Sequence, residues 1–547
     1  MRHRSPSVIS ALIATLALAC SDDATVTNVP NDGGPNADSA SNPDGASNPD
    51  GSGNPDGGIT PLGTPTMGGL IGVNGFIDDP IDKLATIGNV REYHDWSWIE
   101  GNGNNAYPGY PNNQDSYNMF NGFWDWDKFY EGMNAKGSMA FPAIQGGVNW
   151  LNKGALPPVA ANADPKLPGS YGAHADVMFQ TAARYGGVKV ADNLLKLAGD
   201  QTRKSGLGAL HYIEDFNEQD ATWVLPNNAQ LFTADVFAAM ASADYDGDQG
   251  RMGKTVGVKN ADPSLKLVMG GLAGAGPAKP WVDNITQYLD GMKAWSAAHR
   301  GGSFPADVIN VHYYSFGNSQ LGDPMPVPAL SPEADDVKTK LSAVTQWRDK
   351  NEPGKELWLT EFGYDTDSLS RLRAPPIGTN SAFIVQGQWI VRYYLAVMAA
   401  GFDKAFLFLL RDGCEGGDCH VQFDTCGLTT VKGKWVPKPA YFFVATMRAR
   451  LASLAWLGEQ PSNDPNVMIY KLRDPKTQKG AYVVWSPTSK ANVVKGYKLN
   501  VGATAATEVA LVDQQLEGIE TPLSPNIGAV TIDVTETPSI ILVDNIQ

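Results

Sequence analysis

The run Glu356-Leu357-Trp358-Leu359-Thr360-Glu361 is a short, largely apolar segment closed by a carboxylate. Beyond it, residues 381–400 place Phe383, Ile384, Trp389, Ile390, Tyr394, Leu395 and Met398 on one helical face. Ala405-Phe406-Leu407-Phe408-Leu409-Leu410 is then apolar again. A buried run of strand length, a longer amphipathic stretch and a second buried run read as a β-α-β unit of a parallel sheet. The same alternation reaches back to Gly69, with strand candidates at 69–73, 89–93, 138–144, 209–214, 266–270 and 308–313. Helical stretches lie at 173–185, 231–241, 280–298 and 335–350. Eight strands with intervening helices predict an α/β fold, a (β/α)8 TIM barrel with inserted loops. A doubly wound sheet also alternates, but Gly72-Val73-Asn74-Gly75-Phe76 does not supply its glycine-rich phosphate turn.

The texture changes after about residue 452. Segments 467–471, 480–485, 493–499, 507–512, 529–534 and 539–543 read as short strands separated by turns, a small C-terminal antiparallel β-sandwich. At the other end, Arg2 and Arg4 precede an apolar run from Val8 to Ala19, too short to span a bilayer and suited to a secretory signal. Cys20 follows directly, as in the bacterial lipoprotein box, and is the expected lipidation site. Asn-Pro-Asp-Gly then recurs at 42–45, 48–51 and 54–57 in a stretch too polar to bury a core. The expected division is a signal peptide at 1–19, a tether at 20–66, a barrel at 67–450 and a sandwich at 451–547. An outer-membrane or cell-surface lipoprotein follows from this, otherwise a secreted protein.

Composition narrows the partners. Lys and Arg total 42 against 58 Asp and Glu, a net charge of -16. This argues against nucleic acid and against electrostatic binding to anionic lipid, which leaves Cys20 as the one membrane attachment. Four cysteines are too few for a disulfide scaffold. A monomer without cofactor or metal is expected.

In a barrel the active site lies at the C-terminal ends of the strands. Two carboxylates stand there: Glu218, in His211-Tyr212-Ile213-Glu214-Asp215-Phe216-Asn217-Glu218-Gln219, and Glu361 after the seventh strand. Strands four and seven face each other across the mouth. A facing pair of carboxyl groups is what glycoside hydrolysis needs, one raised in pKa to protonate the leaving oxygen and one ionised to attack.

These residues resemble glycoside hydrolase clan A, the retaining (β/α)8 glycosidases, nearest to members similar to family 39 and to endo-glucanases. Asn217-Glu218 and Glu361 match its Asn-Glu after strand four and its Glu after strand seven. The resemblance implies Glu218 as acid/base, Glu361 as nucleophile and Asn217 on the 2-hydroxyl of the sugar. Gln219 stands where the clan commonly has Pro. Arg91, in Val90-Arg91-Glu92-Tyr93-His94, occupies the place of an Arg beside the nucleophile, and His94 is grouped with it as a substrate contact. His312 and Tyr314 share one strand face. The resemblance implies that Tyr314 contacts the nucleophile and His312 orients the acid. Gly427-Leu428 and Pro437-Lys438-Pro439-Ala440-Tyr441 resemble the return to the last helix, while the clan's strand-eight Trp is not evident at 405–411. Glu214 is read as a supporting group.

Trp96, Trp98, Tyr107, Tyr110, Trp124, Trp126 and Trp150 crowd the loops after strands two and three, and Trp96, Trp98 and Trp150 are taken as sugar platforms. Several subsites imply a polysaccharide or oligosaccharide substrate and an endo-acting β-glycosidase. The alternative is a carbohydrate-binding surface lipoprotein without catalysis. The stretch 247–255 lacks the first glycine of a phosphate loop, and Asp244, Asp246 and Asp248 lack the Gly and Glu of a calcium loop. Cys414, Cys419, His420 and Cys426 are irregularly spaced for zinc; a disulfide among the three cysteines is expected, with the pairing open.

Overall fold

The computed structural model describes residues 64–99, 124–196, 203–276, 280–318, 323–416 and 419–546. The signal, Cys20, the Asn-Pro-Asp-Gly repeats, Tyr107 and Tyr110 lie outside the described residues. Among the described residues no helix is long and apolar enough to cross a membrane.

Eight parallel strands close into a barrel in chain order: β1 Ile71–Gly75, β2 Asn89–Asp95, β3 Ala140–Gln145, β4 Tyr212–Asp215, β5 Lys266–Met269, β6 Val308–His312, β7 Glu356–Glu361 and β8 Lys404–Leu407. The ring shuts where β1 pairs with β8, Ile71 opposite Ala405 and Val73 opposite Leu407. The expected TIM barrel is thus the observed architecture, and every strand is followed by a helix. The helices Ile81–Ile87 and Trp126–Ala135 escape the periodicity reading. The first is 7 residues long, too short to repeat a pattern. The second carries a local signal instead, since Asp125 caps it by accepting from Lys128 N.

Phe141, Val268, Val308, Trp358 and Phe406 fill the barrel from inside, with Phe141 5.3 Å from Trp358 and 5.2 Å from Phe406 between ring centroids. Gly72 is required beside them, because a Cβ there would lie 2.3 Å from the Phe406 ring. This apolar plug is the floor of the site. Side chains two residues further along each strand share the same inward face. Asn74, Asn310 and Thr360 therefore form a polar layer directly above it.

Beyond the last helix, Pro439–Leu451, lie β9 Ala455–Glu459, β10 Met468–Arg473, β11 Gly480–Trp485, β12 Val494–Asn500, β13 Ala506–Ala510, β14 Ile519–Leu523, β15 Ala529–Val534 and β16 Ser539–Val543. Six of them make an antiparallel sheet ordered β14-β13-β16-β11-β10-β9, and β12 pairs with β15. Ile469, Tyr482, Val484, Leu499, Val530 and Ile541 pack between the two layers. β9 and β14 were not anticipated; β14 is almost wholly exposed and shows no apolar alternation. The sandwich docks on the helix Ala382–Ala399, whose Arg392 pairs with Glu333 while Trp485 Nε1 donates to Glu333 Oε1 at 2.8 Å.

Removing the central ring of the plug should be felt by the whole barrel. Trp358→Ala is expected to lower unfolding free energy by about 3–5 kcal/mol, the range for emptying a buried Trp. Urea denaturation followed by Trp fluorescence reads this, and a loss under about 1 kcal/mol would refute the plug's role.

Candidate active site

Above the plug, Arg91 is completely buried and each of its five donors is used. Nε and Nη2 donate to the two oxygens of Glu214 at 2.6 and 2.9 Å. Nη1 donates to Asn74 Oδ1 and to Glu361 Oε1, both at 3.0 Å, and Nη2 to Asn217 Oδ1 at 2.6 Å. One guanidinium thus joins β1, β2, β4, its following loop, and β7. A charge at this depth is tolerated only because it is paired on every side.

Glu361 reaches the cavity through an irregularity in β7. Val311 pairs with Leu359 but His312 pairs with Glu361, so one extra residue is accommodated between them. Strict alternation would aim Trp358 and Thr360 inward and Glu361 outward. The bulge re-aims Glu361, and both Thr360 and Glu361 face the cavity. Its oxygens then accept from Tyr93 OH, from Arg91 and, at 2.9 Å, from Tyr314 OH.

Glu218 sits on a tight loop after β4 in which Phe216 and Glu218 both have positive φ, 78° and 48°. The loop is held by Glu218 N donating to Gly271 O at 3.1 Å and Gln219 Nε2 to Gly270 O at 2.8 Å. Gln219 thus ties the loop to the end of β5 by a bond that a proline there could not make. Gly271 must lack a side chain, because a Cβ would lie 2.0 Å from His312 Nε2.

His312 Nδ1 lies 3.1 Å from Glu218 Oε1 and 3.5 Å from Glu361 Oε2. Its Nε2 lies 2.9 Å from Thr360 Oγ1, whose hydroxyl donates to Asn310 Oδ1 at 2.9 Å. The Thr360 proton being so used, His312 Nε2 is the donor in that pair. Nδ1 then faces Glu218, able to accept from its acid form and, once protonated, to donate to its carboxylate. Asn310 Nδ2 in turn donates to Glu214 Oε1 at 3.0 Å. A continuous chain therefore runs from Glu218 through His312, Thr360, Asn310, Glu214 and Arg91 to Glu361.

One oxygen of each carboxylate, with a ring nitrogen of His312, lies within 4.8 Å of the others. Their environments push them apart. Burial and the charge of Glu361 raise the Glu218 carboxyl, against the opposing pull of His312. Burial alone would raise Glu361 as well, but His312, Arg91 and the hydroxyls of Tyr93 and Tyr314 outweigh it and lower its pKa. A proton donor and an ionised carboxylate are thus held side by side, the arrangement that acid-assisted displacement at an acetal carbon requires.

The structure brings Arg91, Asn217, Glu218, His312, Tyr314 and Glu361 together. It removes three expected contacts. His94 shares a strand face with Glu92, opposite Arg91; it is wholly buried, with Nδ1 3.0 Å from Glu92 Oε2, so it does not face the cavity. Trp96 is wholly buried, edge-on to His174, and Trp98 is buried edge-on to Trp124, which takes both rings out of use as platforms. Trp150 is half-buried and stands edge-on to Trp96. Tyr93 was missed, although it lies two residues after Arg91 and so on the same strand face. The three alternating aspartates go to separate partners, Asp244 to His174, Asp246 to Arg300 and Asp248 to Arg251. The disulfide joins Cys414 to Cys419, and Cys426 is free and buried.

No family model matches the sequence, and no curated protein does. Solved structures do share the fold. A family 39 glycoside hydrolase from the gut symbiont Bacteroides cellulosilyticus WH2 superposes with TM-score 0.55 at 15% identity, over 86% of this chain and 80% of its own. A glucosidase from Croceicoccus marinus gives 0.52 at 15% identity, over 89% and 98%. A family 44 xyloglucanase from Paenibacillus polymyxa gives 0.50 at 13% identity, over 88% and 97%. At such identities the likeness is one of fold, and the chemistry rests on the site itself.

The guanidinium is the structural test of the site. Arg91→Met leaves Glu214 and Glu361 buried without their shared cation, and should lower stability by about 3–5 kcal/mol. Chemical denaturation at neutral pH measures it; a loss below about 1 kcal/mol would show that Arg91 does not hold the two carboxylates.

Proposed function

We propose that this protein is a retaining β-glycosidase acting on a polysaccharide, endo in mode, by double displacement. The observation that carries the reading is the pair Glu218 and Glu361. They stand within 4.8 Å, near the roughly 5–5.5 Å of retaining enzymes, and their pKa values are shifted in opposite directions. The fold neighbours named as a family 39 glycoside hydrolase, a glucosidase and a xyloglucanase support the same class.

In the first step a Glu361 oxygen bonds to the anomeric carbon as the bond to the leaving oxygen breaks, and the Glu218 proton moves to that oxygen. In the second, water attacks the anomeric carbon, Glu218 takes its proton, and the ester to Glu361 breaks. Asn217 Oδ1 already accepts from Arg91 Nη2, so its amide nitrogen is the atom it offers to a sugar hydroxyl. Tyr93, Tyr314 and Arg91 keep Glu361 ionised before attack and receive it again as it departs.

Hydrolysis of a panel of β-glucans, xylan, mannan and galactans by residues 60–547, read as reducing ends, tests the class. Glu361→Ala should lower turnover by at least about a thousandfold, the scale for removing a catalytic group. Activity that survives this change would refute the nucleophile. The first product seen by proton NMR should keep the β configuration, and an inverted product would refute double displacement.

The pH profile follows from the two shifts. Glu218 must be protonated, so activity falls as pH rises through its raised pKa; Glu361 must be ionised, so activity falls as pH drops through its lowered one. Tyr314→Phe removes a donor from Glu361 and should move the acidic limb to higher pH while leaving the alkaline limb in place. An unmoved acidic limb would show that this hydroxyl does not hold the nucleophile's charge.

A further inference from the structure

We propose that Phe423, carried by the loop after β8, forms a sugar-contacting wall of the cleft beside Glu361 and stacks on the apolar C–H face of a pyranose ring. This rests on the glycosidase reading. Aromatic platforms were expected from the loops after strands two and three, but the described tryptophans there are mostly buried, as set out above. On the opposite side of Glu361 the picture differs. Tyr314, whose hydroxyl holds Glu361, is half-buried and lies 4.9 Å from the Phe423 ring. Phe423 also stands edge-on to Phe408 at 5.4 Å, and Phe408 to Tyr93, the second tyrosine on the nucleophile. Phe316, half-buried, extends the strip outward 6.5 Å from Phe423, with the Arg371 guanidinium 4.2 Å over it. Tyr314 directly, and Tyr93 through the buried Phe408, are thus linked to Phe423, and of these rings Tyr314, Phe316 and Phe423 are partly open to solvent.

The loop is built to hold that ring. Phe423 has φ 79°, a left-handed backbone that is unfavourable for a bulky residue and persists only where its surroundings enforce it. Asp365, buried after β7, accepts from Phe423 N at 2.9 Å and from Thr425 N at 3.0 Å. Gly413 N and Cys414 N both donate to Asp424 O, and the disulfide Cys414–Cys419 closes the segment just before. Cys426 Sγ donates to Phe423 O at 3.0 Å, and Lys438 Nζ to Thr425 O at 3.0 Å. So many ties on so short a loop fix one side chain rather than a flexible rim. A ring face in that position gains most from a partner with axial C–H groups, which a pyranose offers.

Full-length protein carrying Phe423→Ala or Phe423→Leu, and each in the Glu361→Ala background, tests this against cellohexaose, xylohexaose and mannohexaose. Phe423→Leu keeps apolar volume against Tyr314 and Phe408 and removes only the ring face, so it serves where the alanine variant does not fold. The wall touches the sugar in ground and transition states alike, so KM should rise about tenfold with kcat changed less than twofold. Calorimetric affinity in the Glu361→Ala background should fall by the same factor, and Phe423→Trp should restore both. KM and affinity within twofold of the parent for Phe423→Leu would overturn the wall while leaving the glycosidase reading intact. Binding without hydrolysis by the parent would sink the glycosidase reading, and the affinity arm would still decide the wall. No binding of any hexaose would overturn the wall directly.

Discussion

Everything at the mouth of this barrel depends on a single buried cation. Arg91 is wholly buried above an apolar plug, so its charge is held by Glu214, Glu361, Asn74 and Asn217. Each of those partners belongs to a different strand or loop. The pairing therefore does two things together: it stitches the upper barrel, and it fixes how much negative charge Glu361 can keep. Glu214 matters as much as Arg91 in this. It takes two of the guanidinium's bonds and a third from Asn310, leaving Arg91 one arm for Glu361 rather than a full bidentate grip. A nucleophile clamped by both arms would be stable as an anion and poor as an attacking group.

The two carboxylates are chemically alike, and although Glu218 is the more open of the two, desolvation pushes both upward. What separates them is the count and placement of donors. Glu361 receives two phenols and a guanidinium, whereas Glu218 faces only His312 among its close partners. The chain through His312, Thr360, Asn310 and Glu214 joins the acid to the nucleophile's cation, so a change of charge at one end is felt at the other. The open side of the cleft is lined by rings meeting at Phe423, and its closed side by the plug.

Much of the barrel was legible because most strands contain a short apolar run and most helices show a 3.6-residue period. The helix Ile81–Ile87 was too short to show one, and β14 is too exposed. The site was legible where a polar residue directly follows an apolar run, as with Glu218 and Glu361. It was misread along β2. Taking Arg91 as inward makes Tyr93 inward and His94 outward by simple alternation, and that step was available from the sequence. The tryptophans misled for another reason: a large ring in a polar neighbourhood fits a platform and a buried anchor equally well, and only packing partners tell them apart.

The order of apolar runs and helices, the acidic charge and the two glutamates after strands four and seven were determined by the sequence alone, because hydrophobic period and residue chemistry are local properties. Tertiary structure decided the rest. The bulge in β7 that turns Glu361 inward is a mismatch between two strands and exists in neither alone. The opposite pKa shifts arise from groups as far apart in sequence as Arg91 and Glu361. The pairing of Cys414 with Cys419 over Cys426 depends on how the loop after β8 folds on itself, and the seating of Phe423 on Tyr314 on how that loop meets the one after β6. Such features are set by distance in space, which a one-dimensional pattern does not encode.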